Sequence, residues 1–333
     1  MSFKILCCDG GGIRGLMTAL LIQDLDKTHG VISKADGFAG TSTGGLIALA
    51  LANGIPIDQI VNIYETEGST IFQPNNGWLL EDKQRERPVP TTMEGYTSGP
   101  GILACQYTNE GLINIANTLL GDHLMSDAKK YVSINTARLW DGTSWEPVTM
   151  SNSTNNPYAG IKMKDAALAT SAAPSYFPPY QIAQYGFFAD GGTFANNPSM
   201  TSIADALAGK RVASLANVNA LSLGTGLVPQ GIAPSSIPDP LAWGINYWMW
   251  PWQYNNVPAT ALLNLIMDCT AMAATSEASQ LLANRYCRGN VPLPEPIPLD
   301  DWQQVDKLEQ YTQQYMNTPD WQRVRNWVKE YWV

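Results

Sequence analysis

A serine framed by glycines is the residue whose setting most clearly indicates chemistry. Gly40-Thr41-Ser42-Thr43-Gly44-Gly45 contains the Gly-x-Ser-x-Gly pattern, which is typical of a nucleophile elbow, a sharp strand-to-helix turn that lifts a serine hydroxyl out of a sheet. Such a turn needs small neighbours because its backbone is strained and other segments approach it closely. A plain glycine turn into a buried helix has the same pattern, and the chain contains 28 glycines. Ser42 is therefore a candidate nucleophile.

A serine nucleophile needs a general base, and histidine is scarce in this chain. The two histidines are His29 and His123, and neither lies in a motif that would pair it with a serine. The best candidate is Asp190, which ends a predicted strand and precedes two glycines. An ordinary aspartate has a pKa of about 3.9, so partial desolvation is needed to make it a useful base. An Asp-Gly turn without a catalytic role is the alternative.

A second glycine-rich turn follows the first predicted strand. In Asp9-Gly10-Gly11-Gly12-Ile13-Arg14-Gly15, three consecutive glycines can aim backbone amides into one concavity that would hold an oxyanion. The same run satisfies the Gly-x-Gly-x-x-Gly fingerprint of dinucleotide-binding proteins, and Asp36 lies about where a ribose-binding acid would be. However, Asp36 begins the second predicted strand, whereas the fingerprint places the acid at that strand's end. The dinucleotide alternative also leaves Ser42 and Asp190 without a role.

Alternating strands and helices must position these motifs. The pattern predicts strands over residues 3–8, 36–40, 131–137, 145–150, 187–189 and 220–223, and helices over 16–29, 43–52, 58–69, 109–120, 163–170 and 202–208. This alternation indicates an α/β layered fold with a largely parallel central sheet flanked by helices. Ser42 then lies between the second strand and a helix that is apolar almost all round, and is therefore buried.

The composition changes at about residue 227. We predict a catalytic core over residues 1–227 and an extension over 228–333 that packs on this core. Within the core, Pro, Gly, Asn and charged residues over 72–103 predict an irregular excursion, a candidate lid. In the extension, four tryptophans fall between residues 243 and 252; burial and contact with a lipid interface fit this run equally well. The last helix, which Thr318 should cap, is expected to be buried against the core.

The overall charge and the cysteines limit which partners and which compartment we expect for this protein. A net charge of −9 and a pI of about 4.7 argue against a nucleic-acid partner and against attraction to anionic lipid, so any peripheral membrane contact would be mainly apolar. The five cysteines are odd in number and widely spaced, which predicts free thiols in a reducing compartment. The sequence shows no signal peptide and no apolar run of transmembrane length, so a cytoplasmic protein is expected, with secretion without a cleaved signal left open.

Taken together, the motifs resemble those of the patatin-like phospholipases over roughly residues 3–226. Asp9–Gly15 is similar to the oxyanion loop of that family and Gly40–Gly45 to its serine elbow. The remaining matches are the signature-like run 169–179, the catalytic-aspartate loop Asp190-Gly191-Gly192 with Asn196-Asn197-Pro198 after it, and the run 221–226. Leu168 departs from the pattern, because many relatives carry a basic residue there. The extension after residue 227 adds nothing to the resemblance.

The resemblance implies a patatin-like fold and lipid acyl hydrolysis by a Ser–Asp dyad. Ser42 would attack the ester carbonyl, Asp190 would accept its proton, and an acyl-enzyme would then be hydrolysed. The amides of Gly10, Gly11 and Gly12 would hold the oxyanion, with Arg14 supporting that loop. No metal or cofactor is implied.

The expected substrate is a phospholipid, lysophospholipid or other acyl lipid. The alternatives are a non-phospholipid ester or thioester, the dinucleotide-binding protein, and a protein that binds lipid without turnover. The sequence does not specify the head group, the sn-1 or sn-2 preference, an activator or the oligomeric state.

Overall fold

A mixed β-sheet forms the centre of the protein. The computed structural model describes residues 2–75, 104–250 and 253–332. Among these, eight strands form one sheet in the order β5-β6-β3-β2-β1-β7-β8, with β4 also paired to β3. The strands are β1 Phe3–Cys8, β2 Gly37–Thr41, β3 Tyr131–Arg138, β4 Glu146–Ser151, β5 Tyr180–Ile182, β6 Gly186–Asp190, β7 Val218–Leu223 and β8 Tyr286–Gly289.

Five neighbouring strands of this sheet run in the same direction. β3, β2, β1, β7 and β8 are parallel, whereas β4 and β6 run antiparallel to β3 and β5 runs antiparallel to β6. The predicted α/β fold with a largely parallel central sheet is confirmed. The loops that follow the parallel strands therefore gather at one edge of the sheet, hereafter the carboxyl edge, which is where open α/β sheets bind ligands.

Helices cover both faces of the sheet. They are α1 Gly15–His29, α2 Val31–Lys34, α3 Thr43–Ala52, α4 Ile57–Thr66, α5 Gly68–Ile71, α6 Glu110–Leu120, α7 Met163–Thr170, α8 Gly192–Ala195, α9 Ser199–Ala208, α10 Ile245–Trp248, α11 Ala261–Leu282, α12 Val305–Met316 and α13 Pro319–Tyr331. Side chains of β1 alternate between two cores: Leu6 and Cys8 join one cluster, and Ile5 and Cys7 join the other. All five cysteines are free.

The segment after residue 227 contributes to both the sheet and the core. Its strand β8 pairs with β7 and extends the sheet. In α13, the Thr318 hydroxyl accepts a hydrogen bond from the Trp321 N–H at 3.3 Å, as predicted for a cap. Trp321 is fully buried, and its indole N–H donates to Asp24 on α1 at 2.8 Å. The last helix is thus buried against the core, as expected.

One further prediction concerns a segment that is described only in part. Residues 76–103 of the irregular excursion lie outside the described residues, so its lid role stays a prediction. Phe72, just before them, is buried and packs edge-on against Tyr107, with ring centroids 5.3 Å apart.

Within the described ranges, no helix combines the length and the apolar character needed to cross a membrane.

Candidate active site

Ser42 occupies a strained turn between β2 and α3. Its φ is 54° and its ψ is −126°, a region that non-glycine residues rarely adopt. A Cβ on Gly40 would lie 2.1 Å from the Gly44 carbonyl oxygen, and a Cβ on Gly44 would lie 2.1 Å from that of Cys8. Both positions therefore require glycine. The Ser42 N–H donates to the Thr170 hydroxyl at 2.8 Å, which fixes the turn against α7.

Strand register brings Asp190 next to Ser42. The last residue of β2, Thr41, pairs with Asn135 on β3, and the last residue of β6, Asp190, pairs with the adjacent Thr136. Because β4 pairs with Asn135 and Thr136 from the other side, β2 and β6 must share one side of β3 and end facing each other. Ser42 and Asp190 accordingly line the same cavity.

The Asp190 carboxyl is buried but incompletely hydrogen-bonded. The side chain is 3% exposed, and its Oδ1 accepts a hydrogen bond from the Gly192 N–H at 2.7 Å. Burial raises the pKa of Asp190 to about 6, although the nearby Ser42 hydroxyl and the Gly192 N–H lower it. Oδ2 accepts no hydrogen bond of normal geometry from the described residues, the Ser42 hydroxyl included. One carboxylate oxygen is therefore free to take a proton.

The glycine loop leaves two of its amides without an acceptor among the described residues and uses another internally. The Gly10 N–H donates to the Asn196 carbonyl oxygen at 3.1 Å and is therefore engaged within the protein. The N–H groups of Gly11 and Gly12 have no acceptor among the described residues. Gly12 lines the cavity with Ser42, and its φ of 58° is one that glycine adopts without strain.

Arg14 orients this loop through a carbonyl group. The Gly11 carbonyl oxygen accepts hydrogen bonds from the Arg14 backbone N–H at 3.2 Å and from Nε at 3.4 Å. Because a trans peptide is planar, the N–H of Gly12 points away from the Gly11 oxygen that Arg14 holds. By holding the Gly11 carbonyl group, the buried Arg14 side chain keeps the Gly12 N–H directed away from the guanidinium group.

Thr43 has a free amide that the predicted oxyanion set, Gly10 to Gly12, does not include. It is the first residue of α3 and lines the cavity, and its N–H has no acceptor among the described residues, as expected in the first turn of a helix. The signal was present in the elbow pattern, because the residue after the nucleophile commonly supplies an oxyanion amide.

Two adjoining cavities differ in character. The one that holds Ser42 is narrow, about 60 Å³, and is walled mainly by apolar side chains, among them Leu46, Ile71, Phe72, Leu112 and Phe177. Tyr176 and Leu299 also line a larger cavity of about 730 Å³. Polar side chains of the larger cavity include Arg14, Gln106, Gln230, Asn264 and Asp300.

Neither histidine is part of the site. His29 ends α1 and His123 is exposed in a loop, and neither lines the cavity. Asp36 also lies away from the glycine loop: its carboxylate accepts a hydrogen bond from the Lys4 N–H at 2.8 Å, near the start of β1 rather than its end. The geometry therefore does not support dinucleotide binding.

Comparison with known proteins assigns the family. Residues 6–202 match the family model described as "Patatin-like phospholipase". The chain belongs to the patatin-like phospholipase family, a family of lipid hydrolases, and its fold is the one that the resemblance implied.

Several relatives carry names that describe an activity. A "cGAMP-activated phospholipase" of Vibrio cholerae is 30% identical over 249 residues, 70% of this chain and 67% of that protein. The "85/88 kDa calcium-independent phospholipase A2" of Rattus norvegicus is 29% identical over 68% of this chain and 27% of that protein. The "Probable inactive patatin-3-Kuras 1" of Solanum tuberosum is 28% identical over 83% of this chain and 77% of that protein. Members named as active and as inactive are thus both similar to this chain.

Proposed function

We propose that this protein hydrolyses fatty-acyl esters of lipids, as a phospholipase A or lysophospholipase, through a Ser42–Asp190 dyad. One observation carries the proposal: the register of β3 places a buried carboxyl with a raised pKa and a free oxygen in the same cavity as a serine on a strained elbow. The family and the two relatives named as phospholipases support the choice of a lipid ester.

Acylation begins with proton transfer inside the dyad. At neutral pH most Asp190 carboxylates are ionised, since their pKa is about 6. Oδ2 accepts the proton of the Ser42 hydroxyl while the serine oxygen attacks the acyl carbon. Burial favours this step because it makes Asp190 a stronger base than an exposed aspartate.

Backbone amides stabilise the charge that develops on the carbonyl oxygen. We assign this role to the N–H groups of Gly11, Gly12 and Thr43, which are free, and leave out Gly10, whose N–H is engaged. Removing one such donor typically costs about 2.7–4 kcal/mol of transition-state stabilisation. Arg14 acts as a positioning residue through the Gly11 carbonyl group.

The acyl-enzyme then forms and breaks down. The protonated Asp190 returns its proton to the leaving alcohol oxygen, and the acyl group remains on Ser42. A water molecule gives a proton to Asp190 as its oxygen attacks the acyl carbon. Asp190 then returns this proton to the Ser42 oxygen as the bond between that oxygen and the acyl carbon breaks, which releases the fatty acid and restores the serine and the carboxylate. We place the start of the acyl chain in the apolar cavity and the polar part of the substrate in the larger cavity, since the two share a wall.

The test is fatty-acid release from mixed phospholipid vesicles by the wild type and by Ser42→Ala, with matched folding checked by circular dichroism. Release by the wild type alone supports the proposal. Assays with and without cGAMP are included because a relative's name describes activation by it. If neither protein releases fatty acid and a fluorophosphonate does not label Ser42, the proposal is wrong and binding without turnover is favoured. A panel of galactolipid and thioester substrates tests the remaining alternatives.

The expected location follows from the cysteines. The free thiols support the prediction of a reducing, cytoplasmic compartment. Fractionation of cells that produce the protein tests this prediction.

A further inference from the structure

An uncharged segment follows β7 in the part of the chain that the resemblance does not cover. Residues 240–267 contain no Asp, Glu, Lys, Arg or His, in a chain where 15% of residues are charged. Asp239 and Asp268 bound the segment on either side. A stretch of this length on a soluble protein's surface would ordinarily carry charges, because they keep the surface solvated.

Large aliphatic side chains of this segment point into solvent. Leu241 is 97% exposed, Ile245 is 74% exposed and Met249 is 40% exposed. Ile245 and Met249 lie one helical turn apart, since the Met249 N–H donates to the Ile245 carbonyl oxygen at 2.9 Å. Leu262 and Leu265, on the first turns of α11, are also exposed. Neighbouring apolar side chains exposed to this extent mark an interaction surface rather than ordinary surface composition.

Aromatic rings of the segment pack against one another. The rings of Trp243 and Tyr247 are stacked with centroids 4.7 Å apart, and Trp248 packs edge-on against Trp243 at 5.2 Å. The segment therefore holds its own shape while its aliphatic side chains face outward. We call residues 240–250 the docking loop.

The docking loop lies at the carboxyl edge, where Ser42 is also found. It follows β7, which runs parallel to β1 and thus to β2. The Thr260 N–H donates to the Trp250 carbonyl oxygen at 2.7 Å and links the loop to the start of α11. Two turns further along α11, Met267 lines the cavity of Ser42. The docking loop is therefore joined to the helix that contributes to the wall of the active-site cavity.

We propose that the docking loop binds the surface of a lipid bilayer and does so without needing anionic lipid. Leu241, Ile245 and Met249 would enter the acyl region, and the loop would contribute no charge to repel or attract head groups. The choice of a bilayer as occupant rests on the proposed lipid substrate. Because the protein carries a net charge of −9, binding driven by anionic lipid is disfavoured and salt should have little effect.

The experiment measures binding separately from turnover. Two proteins are sedimented with phosphatidylcholine vesicles. The parent carries Ser42→Ala only, and the triple variant carries Leu241→Ser, Ile245→Ser and Met249→Ser in addition. These three substitutions leave the net charge unchanged and replace no residue that lines the cavity of Ser42. Leu281→Ser is the matched control, because Leu281 is 50% exposed but lies at the end of α11 that leads into the start of β8, at the opposite edge of the sheet.

We expect the triple substitution to weaken vesicle binding by about tenfold or more, since each side chain would lose apolar burial. Leu281→Ser should bind as the parent does, and raising salt to about 0.5 M should change binding little. Equal binding by the triple variant, or binding only to anionic vesicles, would overturn the proposal. So would a dimer in the parent that the triple variant loses, because the loop would then join two copies of the chain.

A soluble short-chain ester distinguishes failure of this inference from failure of the proposed function. With Ser42 restored, the triple variant should hydrolyse that ester at the wild-type rate while it loses activity on vesicles. Normal ester turnover together with unchanged vesicle binding rejects the docking loop only. Absence of ester turnover in the wild type counts against the proposed function instead.

Discussion

Arg288 on β8 forms a two-pronged ion pair with Asp9, the first residue of the glycine loop. Nη1 donates to Asp9 Oδ1 at 2.8 Å and to the Ser222 hydroxyl at 2.7 Å, and Nη2 contacts Asp9 Oδ2. Burial opposes the charge on Arg288, but the Asp9 carboxylate beside it raises the pKa of the guanidinium. A residue beyond the family match thus holds the start of the loop to which we assign the oxyanion amides.

Removing this guanidinium should destabilise the protein. In Arg288→Met the buried Asp9 carboxyl loses its partner, and we expect a loss of about 3–5 kcal/mol in the free energy of unfolding, measured by urea denaturation. Lys307→Met removes an exposed ion pair with Glu295 and should change the free energy of unfolding little, because solvent screens such pairs. Combining Arg288→Met with Asp9→Asn should restore part of the stability. Equal effects of the two single variants would contradict the assigned role of the pair.

Activity should depend on a carboxyl that titrates above its usual range. Because Asp190 must be ionised to accept a proton and its pKa is about 6, kcat/KM should rise from acid pH, reach half its maximum at about pH 6 and then level off. A soluble ester avoids pH effects on vesicles. A midpoint at about pH 4, that of an unperturbed aspartate, would argue against Asp190 as the buried base.

We expect Asp190→Asn to be inactive, because it lacks the proposed base. We also expect it to be more stable, because it no longer buries a charge. The folded-state pKa of about 6 exceeds that of an ordinary aspartate, about 3.9, so the folded protein loses stability as the pH rises between these two values. The difference of about two units corresponds to at most about 3 kcal/mol at pH 7. We expect Asp190→Asn to gain about 1–3 kcal/mol at pH 7 and little at pH 4, in thermal or urea unfolding. Near-normal turnover by this variant, with activity abolished by His29→Ala or His123→Ala, would refute the dyad.

The elbow should not tolerate a side chain at Gly44. An alanine Cβ there would lie 2.1 Å from the Cys8 carbonyl oxygen, and backbone atoms cannot move aside as a flexible side chain can. We expect Gly44→Ala to lower stability by about 1–3 kcal/mol or more and to abolish labelling of Ser42 by a fluorophosphonate. Gly160→Ala is the control, because a Cβ at Gly160 meets nothing within 4 Å. Wild-type labelling of Gly44→Ala would show that the elbow relaxes.

Local patterns predicted most elements, since strand and helix periodicities are properties of short segments. The helix after Ser42 was predicted at its observed bounds, Thr43–Ala52, and Asp190 was predicted at the end of its strand. Strand β8 was not assigned as a sheet strand, because four residues are too few to show a period. The engagement of the Gly10 amide depends on Asn196, far away in the chain. No local pattern records such a contact.

The meeting of β2 and β6 along β3 has a consequence for how this fold can vary. Serine and aspartate come from distant parts of the chain, yet their spacing depends on Asn135 and Thr136, which are joined by one peptide bond. Loops between Thr41 and Asp190 can therefore lengthen or shorten without changing the distance between the two groups. A slip of one residue along β3 would shift either group by about 3.3 Å, roughly the length of a hydrogen bond. Evolution can rebuild the substrate-facing segments freely, provided that this one strand keeps its alignment.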